Sequence, residues 1–565
     1  MKKKLLAVML VVVMVLGSFS TVFAADDNTI TIKGGKAGHT YTIYQILVGD
    51  VNKDNAKQLD NIQWGNGVTQ AFQDTKGTAA AYAKDIADKN DARATAQELI
   101  AAGALTNGEA VTLSADGDIV FDELADGYYV IVDTNNNENP KEGDFSSALI
   151  AQVVGGEEQP VQIKGSPTTS EKKVLDNADK EVVMDVSDLQ GVDAGWQDSA
   201  DHDFGDAVPF MLTAKLADNV QAYAKYHVIF EDTQADGLEA PTSWDISVLG
   251  LTFNLTNEKK TETKSTANTK VTVTKSEATG KTFVIRVDLE QVAPVVEKDK
   301  DGNDVITSNL KEGNNEVVKV TYTSVLKTTA AIGVAGNENI LSCKYSNNPE
   351  DRTGGEEGKT TDDKVKVFTF KVEVDKVDET GAALKGAEFK LYKEVHKDTV
   401  GASTGAVIKE GFADGVKATK LADAKYYVEV ASETITADTT NFEFRGLDDG
   451  TYVLVETTVP KGYNAVEAYE FNINATHDET ATDPALLTFT TDAPFSANKE
   501  AGSITTPKGN THAAESGEVY GEIVNNSGSV LPETGGIGTT ILYTLGGILV
   551  VGAGVLLVAR RKMER

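Results

Sequence analysis

Leu447-Asp448-Asp449-Gly450-Thr451-Tyr452-Val453-Leu454-Val455-Glu456-Thr457 reads as a turn followed by a β-strand. Asp-Gly supplies the turn, and strand alternation puts Tyr452, Leu454 and Glu456 on one face. The stretch has an echo in Leu124-Ala125-Asp126-Gly127-Tyr128-Tyr129-Val130-Ile131-Val132-Asp133-Thr134, identical at seven of eleven positions. A second echo lies upstream of each, Gly38 to Tyr44 against Gly386 to Tyr392. Two echoes in the same order indicate one β-sandwich plan used twice, in a first and a third domain. Val and Thr are abundant, Pro numbers only 12, and apolar strands recur between Gly, Asn and Asp turns. The expected fold is therefore all-β. Ala-rich Thr78 to Leu105 is the exception, read as one helix or two short ones added to the first domain.

Two polar stretches divide the chain near residues 165 and 360: Lys164-Gly165-Ser166-Pro167-Thr168-Thr169-Ser170, and Asn348 to Asp363. A third, Asn526-Ser527-Gly528-Ser529, leads to Leu531-Pro532-Glu533-Thr534-Gly535. Behind that pentapeptide come Ile537 to Ala559, apolar and long enough for a bilayer span, and the basic end Arg560-Arg561-Lys562. At the other end Lys2-Lys3-Lys4, Leu5 to Leu16 and Val22-Phe23-Ala24 form the three-part pattern of a signal peptide cleaved after Ala24. The C-terminal triple resembles the cell-wall sorting signal of Gram-positive surface proteins. By that resemblance the transpeptidase sortase cleaves between Thr534 and Gly535 and passes the Thr534 acyl group to an amine. The membrane helix would be a transient anchor before sorting, and peptidoglycan the final attachment. The mature chain is then Ala25 to Thr534, about 510 residues, in keeping with three domains.

The formal net charge of −33 becomes about −39 once both ends are removed. So acidic a surface speaks against nucleic-acid binding and favours a soluble, extended chain. Cys343 is the single cysteine and cannot pair within the chain, so a secreted protein of this kind needs no staple or a different one.

A different staple is legible in the third domain. Along Val365 to Lys376, alternation sets Phe368, Phe370, Val372 and Val374 on one face, with Lys376 next on it. Asn525 shares an uncharged face with Val519, Gly521 and Ile523, while Asn526 falls on the other. Burial lowers a lysine's pKa and raises a carboxylic acid's. A neutral amine beside a protonated acid and a side-chain amide is a reactive set: the amine attacks Asn Cγ, the acid shuttles protons, and ammonia leaves. The product is a Lys–Asn isopeptide bond, made once and without turnover, so the chain is no enzyme in the ordinary sense.

Val374-Asp375-Lys376, Gly386-Ala387-Glu388-Phe389, Tyr452 to Thr457 and Pro460-Lys461-Gly462-Tyr463 resemble the B-type repeat (Cna-B) of collagen-binding surface proteins. The Tyr452 to Tyr463 stretch also resembles the "E-box" of sortase-assembled shaft pilins. The resemblance implies Lys376 as nucleophile, Glu456 as proton shuttle and Asn525 as acceptor, with Asn526 a rival. In the middle of the chain, Phe204-Gly205-Asp206-Ala207-Val208 and Tyr345-Ser346-Asn347-Asn348-Pro349 resemble fimbrial isopeptide-forming domains of the A-type (Cna-A) relative. There Asp232 shares a face with Tyr226, Val228 and Phe230, and Asn347 one with Leu341, Cys343 and Tyr345. The implied set is Lys172, Asp232 and Asn347, with Lys173 a rival to Lys172. In the first domain Asp133 aligns with Glu456, but no lysine stands at the expected place and no Asn follows in Pro160-Val161-Gln162-Ile163, so no bond is expected there.

Polymerising pilins supply a lysine to sortase from a Val-Tyr-Pro-Lys setting at the end of the first domain. Here Val161-Gln162-Ile163-Lys164 stands at that place without the Tyr-Pro, making Lys164 the implied acceptor for Thr534. The rival reading is a wall-anchored monomeric adhesin binding a host matrix or surface ligand. Asp185-Val186-Ser187-Asp188-Leu189 fails the last position of an Asp-x-Ser-x-Ser metal site, and Cys343-Lys344 is not the Cys-Gln of a thioester domain. Six His with neither Gly-x-Ser-x-Gly nor His-Glu-x-x-His leave no recognisable hydrolase site. Asp50-Val51-Asn52-Lys53-Asp54 opens like a calcium loop but has Asn55 for the required Gly and Asn61 for the closing Glu. No metal or cofactor is expected.

The expectation is three tandem immunoglobulin-like sandwiches: 25–164 (Cna-B-like, with the helical insert), 165–350 (Cna-A-like) and 364–528 (Cna-B-like). A signal peptide (1–24) precedes them and the sorting signal (531–565) follows. By resemblance the chain is a pilus shaft subunit at the cell surface. Its expected partners are pilus-type and housekeeping sortases, identical subunits, and ancillary tip and base pilins.

Overall fold

The computed structural model describes residues 28–528 and 537–563 apart from several stretches, among them 136–147, 163–166, 177–194, 350–354 and 493–509. Three β-sandwiches follow one another. In the first, strand Asn28–Gly35 lies between antiparallel Gly117–Leu124 and parallel Glu158–Gln162. It faces a second sheet ordered Leu59–Trp64, His39–Val51, Gly127–Asn135, Ala148–Val153, with Glu109–Thr112 also paired to His39–Val51. Ile30, Ile32, Tyr41, Ile43, Phe121 and Ile131 fill the space between. The Ala-rich stretch forms two helices, Ala79–Lys89 and Ala92–Ala101, and a further helix, Gln70–Lys76, precedes them. Together they cover the outer face of the second sheet, burying Phe72, Tyr82 and Leu99 against Ile46, Leu47 and Val130.

The third domain repeats the plan. Strand Phe370–Asp378 lies between antiparallel Asn441–Leu447 and parallel Glu518–Asn525. The facing sheet has seven strands, with Glu388–Val395 beside Gly450–Thr458 at its middle. Register agrees as well: Tyr41 stands opposite Asp133 as Phe389 stands opposite Glu456. The Tyr129 hydroxyl donates to the Ala125 carbonyl (2.9 Å), and Tyr452 donates likewise to Asp448 (2.7 Å), so each Asp-Gly turn is tied down by the tyrosine that follows it.

The middle sandwich packs a six-stranded sheet containing Thr169–Leu175, Ala207–Lys215 and Val317–Val325 against an eight-stranded one containing Lys225–Gln234, Asn337–Ser346 and Asp363–Phe368. Its extent corrects one expectation. Within the polar stretch read as a linker, Glu357–Lys359 is a strand paired to Asn337–Ser346. Asp363–Phe368 pairs with the same strand, and Val365 and Val367 enter the middle core. The middle sandwich's last strand thus runs to Phe368, whose side chain already packs in the third core, and Thr369 alone separates it from Phe370–Asp378. The alternation of Val365 to Lys376 was legible, but a strand's face does not say which sandwich it faces. The joint is close-packed: Gly446 (φ 73°) has so little room that a Cβ would sit 1.9 Å from the Phe204 ring.

Beyond the sandwiches, helix Ile537–Met563 covers the apolar run, and its side chains described over 545–556 are exposed. Those described side chains alone make too short a run to cross a membrane.

Candidate cross-link sites

In the third domain, Lys376, Glu456 and Asn525 come together in the core, all but inaccessible to solvent. Lys376 and Asn525 lie on the adjacent parallel strands that open and close the domain, with Lys376 opposite Ile523 and Asp378 opposite Asn525. The Lys376 Nζ donates to the carbonyls of Val377 (3.0 Å) and Ile523 (2.9 Å). Asn525 Nδ2 donates to Glu456 Oε1 (2.9 Å), and the Val466 N–H donates to Oε2 (3.2 Å). Asn525 Oδ1 is buried with no hydrogen-bond partner among the described residues. Asn526 is exposed, so alternation chose correctly between the two asparagines for which one enters the core. Burial pulls the Lys376 ammonium down to about 8, against the Glu456 carboxylate that favours its charge. Burial pushes the Glu456 carboxyl up, against the Val466 and Asn525 hydrogen bonds. Both groups are thus biased towards the neutral forms that aminolysis of an amide needs.

That bias has a sign in stability. In Asn525→Ala, where no bond can form, Lys376 is held near 8 when folded and returns to roughly 10.4 when unfolded. Between those values the unfolded chain binds more protons, so stability rises with pH across that window. Urea unfolding at pH 8 and pH 10 is expected to show this rise relative to Asn525→Ala/Lys376→Met, by on the order of 1–3 kcal/mol.

In the middle domain Lys172 points into the core and Lys173 away from it, towards Asp198 (Nζ to Oδ1, 2.5 Å). The Lys172 ammonium pairs with the Asp232 carboxylate and donates to the Tyr322 hydroxyl (3.1 Å). Tyr322 in turn donates to Asp232 Oδ2 (2.8 Å). Burial lowers the Lys172 pKa, with Asp232 only partly restoring it. The Tyr322 phenol is raised, first by burial and then by Asp232.

Asn347 is not brought to this pair. The register sets Asp232 opposite Leu341 and Val228 opposite Tyr345, so Asn347 lies six residues farther along, about 20 Å away. Asn339 lies two residues the other way on the same face, wholly buried, and its Nδ2 donates to the Tyr322 hydroxyl (2.8 Å). Its Oδ1, like that of Asn525, has no partner among the described residues. Parity was legible in the sequence, since residues 339, 341, 343, 345 and 347 share one face. Position along the strand was not, because it depends on a register set by distant residues. Asn339→Ala is expected to leave a middle-domain bond unmade and Asn347→Ala to leave it intact, as read by peptide mapping.

The first domain has no such set among its described residues. Ile32 lies opposite Ile119 as Val374 lies opposite Phe442, so Gly34 holds the place of Lys376. Buried Asp133 instead meets buried His39, Nδ1 to Oδ1 2.7 Å. Lys164 and the pentapeptide Leu531 to Gly535, with Thr534, lie outside the described residues.

Residues 370–484 match the family model of a prealbumin-like fold domain, and residues 523–565 match that of the LPXTG cell wall anchor motif. The chain carries a prealbumin-like domain and an LPXTG cell-wall anchor. It is a surface protein held at the cell wall. The first match begins at Phe370, where strand pairing also starts the third sandwich. Solved structures similar to the chain include the T6 backbone pilin of Streptococcus pyogenes, at 16% identity over 90% of this chain and 100% of that one, TM-score 0.48. The major pilin SpaD of Corynebacterium diphtheriae gives 17% over 89% and 98%, TM-score 0.41. SpaA of the same organism, also a major pilin, gives 12% over 89% and 100%, TM-score 0.37. No curated protein matches.

Proposed function

We propose that this anchored protein is the shaft subunit of a covalent surface pilus, stiffened by two self-made Lys–Asn bonds. The observation that carries the reading is the third-domain site: a buried lysine and asparagine on neighbouring first and last strands, with a buried acid between sheets. In each reaction the lysine Nζ attacks the asparagine Cγ, a C–N bond forms and the Cγ–Nδ2 bond breaks. The carboxyl group carries the amine's proton to the leaving nitrogen, and ammonia departs. Glu456 takes this role for Lys376 and Asn525, and Asp232 for Lys172. For the middle bond the acceptor we propose is Asn339 rather than Asn347, with the Tyr322 hydroxyl holding the amide in place.

Sortase would then join Thr534 of one subunit to Lys164 of the next. Pull along such a polymer enters at Lys164 and leaves at Thr534, so residues before Lys164 carry none of it. A first domain without a cross-link, with Gly34 where a lysine would stand, suits that position. In the third domain the load would run up Phe370–Asp378 to Lys376 and across to Asn525, leaving everything between them unloaded. Lys164→Arg is expected to abolish the ladder of high-mass polymers on cell-wall blots while monomer remains anchored. An undiminished ladder would overturn Lys164 as acceptor.

A further inference from the structure

Where the middle and third sandwiches meet, five carboxylates gather around Lys393 and His477. Asp176, Asp201 and Asp203 come from the middle domain, and Asp448 and Asp449 from the turn between Asn441–Leu447 and Gly450–Thr458. Lys393 bonds Asp203 across the joint (2.6 Å) and Asp448 within its own domain (3.1 Å), and the Asp448 N–H donates to Asp203 Oδ1 (2.9 Å). Ser199 Oγ donates to the Asp478 carbonyl (2.5 Å), so it accepts from His477 Nδ1 (2.7 Å), which therefore carries a proton. His477 Nε2 faces Asp176 (3.4 Å) and Asp201 (3.8 Å).

One carboxylate oxygen of the group is left without a partner among the described residues. Asp201 is 3% exposed, and its Oδ2 is buried with no hydrogen-bond partner among the described residues. A carboxylate oxygen left so is costly unless a proton or a cation meets it. One carboxylate oxygen each from Asp201, Asp448 and Asp449 lies within 4.8 Å of the other two. Oxygens that ligate one calcium ion at 2.3–2.6 Å stand at most roughly 5 Å apart, so the three fit around one ion. Asp448 is 1% exposed, whereas Asp449 is half-buried and leaves an opening for the ion and its waters.

We propose that Asp201, Asp448 and Asp449 form a divalent-cation site of the calcium class, closing the joint between the middle and third sandwiches. The donors are hard oxygens, supplied by both domains, so the ion binds only the docked pair and stiffens it. Lys393 pairs with Asp203 and Asp448, and the ion would sit among the three remaining carboxylate oxygens. The first domain lacks the pair, having Ala125 where the third has Asp448. This site does not depend on cross-linking or polymerisation.

The test is calorimetric titration of calcium chloride into the mature chain, residues 25–534, after chelator treatment, beside Asp201→Asn and Asp449→Asn. One saturable site per chain, weakened at least tenfold in each variant, is the expected result. Asp449 is at the rim of the joint, so Asp449→Asn decides the matter should Asp201→Asn fail to fold, as judged by circular dichroism. Absence of saturable heat in the wild-type chain would overturn the site and leave protonation as the cluster's neutraliser. Binding unchanged by Asp449→Asn would also overturn it, placing the ion on the acidic surface at large.

Discussion

Purified residues 25–534 are expected to weigh less than their sequence by two ammonia molecules, and Glu456→Ala and Asp232→Ala by one each. The double variant should have its full mass. The grounds are geometric and electrostatic together. Lys376 and Asn525 are fully buried on adjacent strands, with Asn525 hydrogen-bonded to Glu456. Burial favours the neutral amine and the neutral acid over the ion pair that would otherwise stop the reaction. Lys172, Asp232, Tyr322 and Asn339 form one buried hydrogen-bonded chain with the same ingredients. Removing the carboxyl group leaves the amine and amide in place with no route for the proton, so the fold survives and the bond does not form. A full, undiminished wild-type mass would sink the cross-link mechanism and move the monomeric adhesin ahead.

The second large effect is on stability. Glu456→Ala is expected to lower the melting temperature of the third domain by roughly 10–20 °C. The Lys376–Asn525 bond would close a loop of about 150 residues, nearly the whole domain. In the chain-entropy account such a closure is worth about 5 kcal/mol, and each kcal/mol moves a domain of this size by roughly 2–4 °C. Lys376→Met, which removes the nucleophile but keeps an apolar side chain in the core, should fall by a similar amount. Differential scanning calorimetry separates this from a local packing defect. A packing defect would show in Glu456→Ala alone, whereas a lost cross-link shows equally in both.

The third-domain site was legible because each of its parts is local. Alternation put Lys376, Glu456 and Asn525 on apolar faces, and each of the three strands presents that face to the core. The same logic chose Asn525 over Asn526. It failed at Asn347, where parity was right and the place along the strand was wrong. Asn339 has the same parity, and the choice between them rests on Asp232 standing opposite Leu341, a pairing across more than 100 residues. It also failed at the middle boundary, because Val365 and Val367 alternate as well for one sandwich as for the next.

By itself the sequence determined that this chain is built of strands, that its first and third domains share a plan, and that it ends in a wall anchor. Those follow from short-range patterns: a two-residue period, an Asp-Gly turn repeated with its tyrosine, and a pentapeptide before an apolar run and a basic tail. Only the tertiary structure decided which asparagine joins the Tyr322 hydroxyl beside Lys172 and Asp232, which sandwich Asp363–Phe368 pairs into, and that Asp201 shares a buried joint with Asp448 and Asp449. Each of those is a meeting of residues far apart in the chain, set by strand register and domain docking, and no local pattern encodes it.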